Sequence, residues 1–312
     1  MFYTKTTFKL YDKQTNNPIS DKAYQMVGDL VNGFARVKYN DKFGYIDENG
    51  KEICDIKYDI AENFSNGFAI VKYKGKYGFI DKNGNEICEI KYDNVREFCE
   101  GLAEVCINGK WAFIDETGKE ICDFKYTDVS AFHNGFAIIW IYDNCSFINK
   151  NGKEICNFIY SSACNFEYGL ARVTVDITDD KYLYTYINEQ GKEICKRYNE
   201  IGDFINGFAV IEDETENGYK YGFINLEGKE LLTPGLKYDY VHPFSYGLAL
   251  VGIMTSKKAF KYTYGYINET GTEVIKCQYE EASDFKSTGT ARVMIPFGKF
   301  VYINKKGNVI KN

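Results

Sequence analysis

Apolar and polar residues alternate with a period of two along most of the chain, which is typical of β-strands rather than helices. In the unit at 67–100, Phe68 and Ile70 fall on one side of the first run, and Ala69 and Val71 fall on the other. Two further runs follow, each after a short turn, and no helix of ordinary length fits between the turns. The three runs cover residues 68–73, 77–81 and 86–92. The pattern predicts an all-β protein built from small antiparallel sheets of three strands, or of four where the connector adds a short strand.

This unit recurs eight times along the chain. A Gly-[Phe/Leu]-Ala element opens each unit, with Thr in the second place of the eighth, and the spacing is 34 residues four times and then 38, 40 and 42 residues. The opening glycines are Gly33, Gly67, Gly101, Gly135, Gly169, Gly207, Gly247 and Gly289. A repeat of this length indicates a tandem array. We therefore predict one array over 1–312, with an N-terminal capping half-repeat (1–32), four regular repeats (33–168) and four longer, divergent repeats (169–312).

Two architectures suit such units: an open β-solenoid or superhelix, and a β-propeller. The N-terminal residues look like a degenerate copy of the second and third runs, since Ile19 precedes Ile53 by 34 residues and Tyr24 precedes Tyr58 by 34. The chain then holds nine such segments but eight opening strands, whereas a ring closed by strand exchange needs equal numbers. The sequence favours the open form, with the propeller as the alternative.

A column of glutamates restricts how the repeats stack. A parallel β-helix would place these like charges about 4.8 Å apart, where they would repel one another. Sheets packed face to face, about 10 Å apart, relieve that repulsion. The column consists of Glu52, Glu86, Glu120, Glu154, Glu193, Glu230 and Glu273.

An aromatic-Gly pair before a [Phe/Tyr]-Ile-[Asp/Asn]-x-x-Gly turn gives the units a specific likeness. The pair occurs as Phe43-Gly44, Tyr77-Gly78, Tyr221-Gly222 and Tyr264-Gly265, and as Trp111-Ala112 with the glycine changed. Cys145-Ser146, Tyr184-Thr185 and Phe300-Val301 depart from it. Over nearly its entire length the chain resembles the bacterial WG-repeat family. The resemblance implies a tandem β-repeat scaffold in a bacterial protein, with no catalytic residues to transfer. A shorter likeness connects the aromatic hairpins with choline-binding cell-wall repeats.

Composition and net charge restrict the kinds of partner that the chain is expected to bind. With 45% hydrophobic residues and 17% aromatic residues the chain can bury an ample core, and it has no apolar run of membrane-spanning length. A net charge of −6 gives no general attraction for nucleic acid or anionic lipid, so we expect neither partner. The first residues lack the apolar core of a signal peptide, and we expect a cytoplasmic location.

The cysteines look structural rather than reactive. Five follow Glu-Ile at one repeat position, which places neighbours about 10 Å apart and beyond disulfide reach. They lack a Cys-x-x-Cys spacing or a histidine partner for metal. We interpret them as small apolar side chains that remain reduced, and the other five likewise. The two sets are Cys54, Cys88, Cys122, Cys156 and Cys195, and Cys99, Cys106, Cys145, Cys164 and Cys277.

The turn aspartates and the two histidines are interpreted as structural residues rather than as metal ligands or catalytic groups. Asp47, Asp81 and Asp115 begin turns that later repeats begin with Asn, which indicates turn formation rather than calcium binding. His133 and His242 lie in connectors without the neighbours of a catalytic triad. The sequence therefore predicts no catalytic residue, no metal, no cofactor and no enzymatic activity.

Three late hairpins are enlarged, at 175–184, 212–221 and 252–264; two of the insertions are acidic and one is basic. Insertions on one edge of a repeat array often form its recognition surface, and exposed tyrosines suit an interface. The candidate binding residues are Tyr182, Tyr184, Tyr219, Tyr221, Lys257, Lys258, Lys261, Tyr262 and Tyr264. Drift in hairpin length without any partner is the other interpretation.

The leading hypothesis is a non-enzymatic scaffold that mediates protein–protein interaction. The alternative is carbohydrate or cell-wall binding through aromatic hairpins. A third class, a hydrolase on a propeller, would require a closed ring with paired carboxylates in its funnel. The sequence leaves open the identity of the partner and the oligomeric state.

Overall fold

A computed structural model describes residues 7–10, 18–19, 21–178, 181–216, 218–233, 237–256, 261–295 and 297–310. Throughout these ranges the regular structure is β, in 27 strands that form eight antiparallel sheets. None of the described segments is a helix that could cross a lipid bilayer. The prediction of an all-β array of eight three- or four-stranded units is thus confirmed.

The chain folds as two compact units, Met1–Ile159 and Tyr160–Asn312, with four sheets in each. In the first unit, sheet 1 contains β1 (Met26–Val27), β2 (Phe34–Tyr39) and β3 (Lys42–Asp47); sheet 2 contains β4 (Ile60–Ala61), β5 (Phe68–Tyr73) and β6 (Lys76–Asp81); sheet 3 contains β7 (Asn94–Val95), β8 (Leu102–Ile107) and β9 (Lys110–Asp115); sheet 4 contains β10 (Asp128–Val129), β11 (Phe136–Ile141) and β12 (Asn144–Asn149). The preference for an open array over a propeller stays a prediction.

In the second unit, sheet 5 contains β13 (Ser162–Ala163), β14 (Leu170–Thr178) and β15 (Lys181–Asn188); sheet 6 contains β16 (Glu200–Ile201), β17 (Phe208–Thr215), β18 (Gly218–Asn225) and β19 (Glu230–Leu232); sheet 7 contains β20 (Tyr240–Val241), β21 (Leu248–Ser256), β22 (Lys261–Asn268) and β23 (Glu273–Tyr279); sheet 8 contains β24 (Glu281–Ala282), β25 (Thr290–Ile295), β26 (Lys299–Asn304) and β27 (Val309–Ile310). The longer strands of sheets 5, 6 and 7 extend into the enlarged hairpins.

In sheets 1 to 5 the strand order differs from the predicted one, whereas in sheets 6 to 8 the third run forms the predicted strand, as β19, β23 and β27. The repeat at 67–100 shows the difference. The run at 86–92 is not a continuous strand, because it meets β6 through two isolated bridges, from Glu86 to Ile80 and from Tyr92 to Tyr77. Between these bridges the chain bulges over Gly78, where an added Cβ would lie 2.9 Å from Ile90. The short strand that completes each three-stranded sheet comes instead from two residues of the connector. In this repeat they are Asn94–Val95 (β7), which pair with β8 in the sheet of the following repeat.

Connector phenylalanines fill the space between successive sheets. Phe64 packs against Phe34 of sheet 1, with ring centroids 4.4 Å apart, and against Tyr45 at 5.1 Å. Phe98 repeats the arrangement on sheet 2, at 4.3 Å from Phe68 and 5.0 Å from Phe79. Offset and edge-to-face pairs of this kind stabilise beyond the area they bury. Much of the high aromatic content is therefore structural.

A buried tyrosine links six of the seven glutamates of the column to the preceding repeat. Tyr126 is almost fully buried, and its hydroxyl donates a hydrogen bond to Oε1 of Glu154 at 2.7 Å. Lys125 Nζ lies 2.9 Å from the same carboxylate. Equivalent hydroxyl bonds join Tyr24 to Glu52, Tyr58 to Glu86, Tyr160 to Glu193, Tyr198 to Glu230 and Tyr238 to Glu273. Glu120 is the exception: it pairs with Lys91 Nζ at 2.8 Å, while the hydroxyl of Tyr92 has no hydrogen-bond partner among the described residues. Each carboxylate of the column therefore has a partner, and the close stacking of like charges that a parallel β-helix would impose is absent from the described repeats.

The turn glycines allow the repeats to approach closely. Gly84 has a φ of 80°, and a Cβ on it would lie 1.9 Å from the carbonyl oxygen of Ile53 in the preceding repeat. The matching distance for Gly118 is 2.0 Å, to the carbonyl oxygen of Ile87. Backbone contact this tight leaves no room for any side chain, which explains why the glycine recurs.

The residue that begins this turn shapes it, as predicted. Asp81 Oδ1 accepts the backbone N–H groups of Asn83 and Asn85 at 2.9 and 2.8 Å. Asn149 accepts the equivalent pair at 3.0 and 3.1 Å without a charge. Hydrogen bonding by the side-chain oxygen, and not its charge, is therefore what this position supplies.

One buried carboxylate lies at a position where the other repeats have an aliphatic residue or an arginine. Glu104 on β8 is 2% exposed, and neither carboxylate oxygen has a hydrogen-bond partner. Ile70 and Ile138 hold the equivalent positions of sheets 2 and 4. Burial raises the pKa of Glu104; the nearby Arg96 lowers it and Asp128 raises it further. An unsatisfied buried carboxylate destabilises a fold.

We predict that Glu154→Gln lowers the free energy of unfolding by about 1 kcal/mol at pH 7, because the amide loses the charge that pairs with Lys125. Burial raises the pKa of Glu154, but the bonds from Lys125 and Tyr126 hold it below the ordinary value of 4.5. The contribution of the carboxylate is therefore present above about pH 4.5 and is lost as the pH falls through the lower folded value. Denaturation between pH 3 and 7 should show a weaker acid dependence in the variant, whereas exposed Glu48→Gln should leave the profile unchanged.

We also predict that Glu104→Ile raises the free energy of unfolding by about 1 to 3 kcal/mol, because it removes the unsatisfied carboxylate. Since the fold favours the neutral acid, the cost of wild-type Glu104 grows as the pH rises through its raised pKa. The gain should be larger at pH 7 than at pH 4 in chemical denaturation. The reverse change, Ile138→Glu, should destabilise; equal stability of both variants would contradict this assignment.

Candidate functional site

The structure places the predicted binding residues in three successive sheets. Tyr182 and Tyr184 lie on β15, Tyr219 and Tyr221 on β18, and Lys261, Tyr262 and Tyr264 on β22. Lys257 and Lys258 lie outside the described residues. In each pair the tyrosines are two positions apart, so they occupy one face of their own hairpin.

Two of these tyrosines present a large surface, and the others are half-buried. Tyr182 is 45% exposed and Tyr219 is 55% exposed. Tyr262 stacks on Tyr264 at 6.0 Å between centroids. Burial, with a hydrogen bond to Glu212, raises the pKa of Tyr221 to about 12. The Tyr221 hydroxyl therefore acts as a neutral hydrogen-bonding group.

Ion pairs connect the enlarged hairpins. Lys181 Nζ on the sheet 5 hairpin lies 3.6 Å from Oε2 of Glu214 on the sheet 6 hairpin. Lys220 of sheet 6 pairs with Asp239, just before sheet 7. The first and second hairpins thus meet at their charged ends.

A concave feature beside two of the predicted tyrosines lies on sheet 5. A hollow of about 490 Å³ is lined by Tyr182, Tyr184, Thr174 and Asp176. A second hollow of about 310 Å³ shares Cys164 and Arg172 with the first and adds Tyr168 and Asp203 among its lining residues. We call the two together the Arg172 cleft. Its volume suits a side chain or a short peptide segment.

Arg172 lies where the two hollows meet. Its Nη1 donates to the carbonyl oxygen of Ile201 at 3.0 Å and lies 3.4 Å from Oδ1 of Asp203. Its Nη2 lies 3.9 Å from Sγ of Cys164. Asp203 is largely exposed. An acceptor entering the cleft would meet the guanidinium, whose remaining N–H groups can bind a carbonyl or carboxylate.

Cys164 differs from the other cysteines, and its interpretation as a structural apolar side chain was wrong. The chain's ten cysteines are all thiols in the described structure, and Cys164 is the exposed one. Burial raises the pKa of Cys54 and Cys122 to about 11 and that of Cys145 to about 12. These three are protonated at neutral pH and unsuited to nucleophilic chemistry.

A tyrosine that sequence reasoning missed stands at the mouth of the cleft. Tyr168 precedes the opening glycine of its repeat, has a φ of 52° and is 81% exposed. Asn32 and Asn66 hold this position in other repeats and donate to the carbonyl oxygens of Phe64 and Phe98 at 2.7 Å each. A bulky side chain in this backbone conformation is uncommon, whereas Asn tolerates it. The departure from Asn was the available sequence signal.

Tyr246 repeats this exception two sheets later, with a φ of 51° and 55% exposure. The hydroxyl of Ser245 beside it donates to the carbonyl oxygen of Phe285 at 2.9 Å, so the inter-repeat bond is supplied by a neighbour. Both tyrosines forgo the Asn interaction and present an aromatic ring to solvent.

Groups for catalysis are sparse in the described part of the chain. Nδ1 of His242 lies 3.0 Å from Oδ1 of Asp284, and in the described residues no hydroxyl or thiol hydrogen-bonds the other ring nitrogen. The ranges described contain no group of three His, Cys, Asp or Glu arranged to hold a metal ion. What the geometry offers is hydrogen bonding, one guanidinium and aromatic surface.

Comparisons with solved structures find weak resemblances. BamB from Moraxella catarrhalis aligns at 9% identity over 95% of this chain and 97% of its own, with a TM-score of 0.29. The extracellular domain of the hybrid two component system BT3049 from B. thetaiotaomicron aligns at 9% identity over 97% of this chain and 53% of its own, with a TM-score of 0.24. The AfRom2 CNH domain aligns at 10% identity over 70% and 83%, with a TM-score of 0.27. Scores this low carry no argument about ring closure or function.

The sequence comparison is specific. No curated protein matches the chain significantly. The profile of the family described as WG containing repeat matches eight times, at 10–43, 43–77, 77–111, 111–139, 146–182, 184–214, 221–253 and 264–295. These matches span most of the sequence and follow the repeats seen in the structure. The chain therefore belongs to the WG-containing repeat family.

Proposed function

We propose that this protein is a non-enzymatic bacterial scaffold that binds another protein, with the Arg172 cleft and its tyrosines as the principal contact. The observation that carries the proposal is the grouping of exposed Tyr168 and Tyr182 around one concave site with Arg172. Tyrosine and arginine are the residues that protein interfaces favour, and they often dominate binding energy.

The chemistry of the cleft supports binding rather than turnover. Arg172 is already held by Ile201 and Asp203, which fixes its orientation for an incoming acceptor. Tyr182 and Tyr184 supply flat apolar area with polar tips, at a small cost in conformational entropy. A cytoplasmic location is part of the proposal, because there the exposed Cys164 thiol stays reduced.

Carbohydrate binding is the second candidate. Tyr182 lies beside Asp176 and Ser161 in the wider hollow. An aromatic face next to hydroxyl and carboxylate groups is an arrangement that can hold a sugar ring. A glycan array with the purified chain would distinguish this candidate, since a protein-binding scaffold should give no saturable glycan signal.

We predict that Tyr168→Asn stabilises the protein but weakens partner binding. Asn accepts the positive φ and can donate to the carbonyl oxygen of Phe204, as Asn66 does to Phe98, so the free energy of unfolding should rise by about 0.5 to 1 kcal/mol. Loss of the exposed ring should reduce recovery of the partner in quantitative pull-downs from the native bacterium.

Tyr142→Asn is the matched control for this experiment. Tyr142 is also strongly exposed at a φ of 53°, but it belongs to a hairpin turn of sheet 4 and is not among the residues that line the cleft. It should gain similar stability with unchanged partner recovery. Equal recovery with both variants would show that the cleft is not the contact.

A further inference from the structure

Sheet 8 presents an open face, whereas the matching faces of sheets 1 to 3 and 5 to 7 pack against the connector of the following repeat. In each of those six sheets one aromatic side chain of the second hairpin strand packs against a connector phenylalanine and is at most 5% exposed. These residues are Tyr45, Phe79, Phe113, Tyr186, Phe223 and Tyr266. The equivalent residue of sheet 8, Tyr302 on β26, is 42% exposed. Phe300, Val309 and Ile310 are also exposed beside it.

Sheets 1 and 5 show what such a face binds when it carries an arginine opposite a tyrosine. In sheet 1, Arg36 is paired across the strands with Tyr45, and in sheet 5, Arg172 is paired with Tyr186. Sheet 8 repeats the pair as Arg292 and Tyr302. The other sheets lack this combination.

The Arg–Tyr pair of sheet 1 holds two consecutive carbonyl groups of the following connector. Arg36 Nη1 donates to the carbonyl oxygen of Ala61 at 3.1 Å, and the Tyr45 hydroxyl donates to that of Glu62 at 2.6 Å. Phe64, two residues further on, packs its ring 5.1 Å from Tyr45.

The pair of sheet 5 does the same. Arg172 Nη1 donates to the carbonyl oxygen of Ile201 and the Tyr186 hydroxyl to that of Gly202, both at 3.0 Å. Phe204 packs 4.9 Å from Tyr186. Two independent junctions therefore share one recognition pattern: two successive backbone carbonyls, then a phenylalanine two residues after the second.

In sheet 8 the two side chains that would donate these hydrogen bonds, Arg292 and Tyr302, are exposed. Arg292 stacks on Phe300, with the guanidinium carbon 3.7 Å from the ring centroid, so the stack orients the guanidinium on the open face. Met294 lies on the same face, opposite Phe300, and Glu281 of the edge strand lies opposite Met294.

The surrounding charge indicates the sign of the partner. From Phe285 to Asn312 the sequence contains six Lys and Arg residues and no Asp or Glu, although the whole chain has a net charge of −6. Lys286, Lys299, Lys305 and Lys306 are exposed around the sheet. The segments held by sheets 1 and 5 are themselves acidic, with Asp59 and Glu62 in one and Glu200 and Asp203 in the other.

We propose that the open face of sheet 8 is a second docking site, which binds an acidic protein segment carrying a phenylalanine. Arg292 and Tyr302 receive two successive carbonyl groups of the segment, and its phenylalanine ring packs on Tyr302. Exposed lysines attract its carboxylates. This site is separate from the Arg172 cleft and does not depend on the function proposed for that cleft.

The probe is a fluorescein-labelled synthetic peptide with the sequence of residues 59–67, DIAENFSNG, which is the segment that sheet 1 binds within the chain. We expect saturable binding to the intact protein in fluorescence anisotropy at low salt, weak because a free peptide must be ordered on binding. Tyr302→Ala and Arg292→Ala should each weaken it about tenfold, which corresponds to loss of one good interaction. A peptide with alanine in place of Phe64 should bind equally poorly.

Control variants separate this proposal from the previous one. Tyr168→Asn, at the Arg172 cleft, should leave peptide affinity unchanged, and Tyr302→Ala should leave recovery of the cleft's partner unchanged. Because Tyr302 and Arg292 are exposed, the variants should keep the circular dichroism and unfolding midpoint of the wild type.

Three results would overturn the assignment. The first is an absence of saturable peptide binding up to millimolar concentration. The second is tighter binding of a labelled thymidine oligonucleotide that depends on Phe300, which would make the face a nucleic-acid platform. The third is self-association in sedimentation that disappears with Arg292→Ala, which would make a second copy of this chain the occupant.

Discussion

The buried tyrosine hydroxyl that donates to a glutamate of the next repeat, seen at six junctions, is the constraint on which the rest of the array depends. A tyrosine such as Tyr126 fills the space between small sheets that have no helices to cover them, but its hydroxyl must find an acceptor inside. The glutamate of the next repeat supplies that acceptor, and a lysine compensates its charge. Three residue types therefore have to recur together, and their spacing fixes how far apart successive sheets stand. The turn glycines, which touch the backbone of the preceding repeat, follow from the same close approach.

Much of the fold was predictable because the chain contains eight copies of one sequence pattern. The period of two, the hairpin turns and the Asx-Gly turns all identified local structure correctly. Strand pairing was less accessible, because the pair Asn94–Val95 is too short for periodicity to reveal, and its sheet partner belongs to the following unit. The glutamate column was recognised but interpreted by its repulsion alone. Its compensation depends on contacts between residues about 30 positions apart, which no local pattern shows.

The candidate sites show a similar division. The greater length of the late hairpins pointed to Tyr182 and Tyr184, and both tyrosines line the Arg172 cleft. The same reasoning missed Arg172, Tyr168 and the exposure of Cys164, because tyrosine and cysteine recur throughout the repeats and no local pattern shows which groups Arg172 contacts. Their significance depends on what lies opposite them in space: the carbonyl of Ile201 for Arg172, and open solvent for the other two.

A tandem repeat provides its own reference for distinguishing structural from functional residues. Where a position serves stacking alone, neighbouring repeats show which residue serves it best, as Asn32 and Asn66 do at the turn. Tyr168 at that turn lacks the hydrogen bond that these asparagines donate, and the buried Glu104 lies where four other repeats have an aliphatic residue, so each departure lowers the stability of its repeat. Real proteins most often depart from such local rules at functional sites. Tyr168 is exposed at the Arg172 cleft, and Arg292 and Tyr302 match the residues that bind a connector in sheets 1 and 5 but lie on a face exposed to solvent. These exposed departures are the basis of the two binding surfaces proposed for this array, whereas Glu104 is buried and belongs to neither.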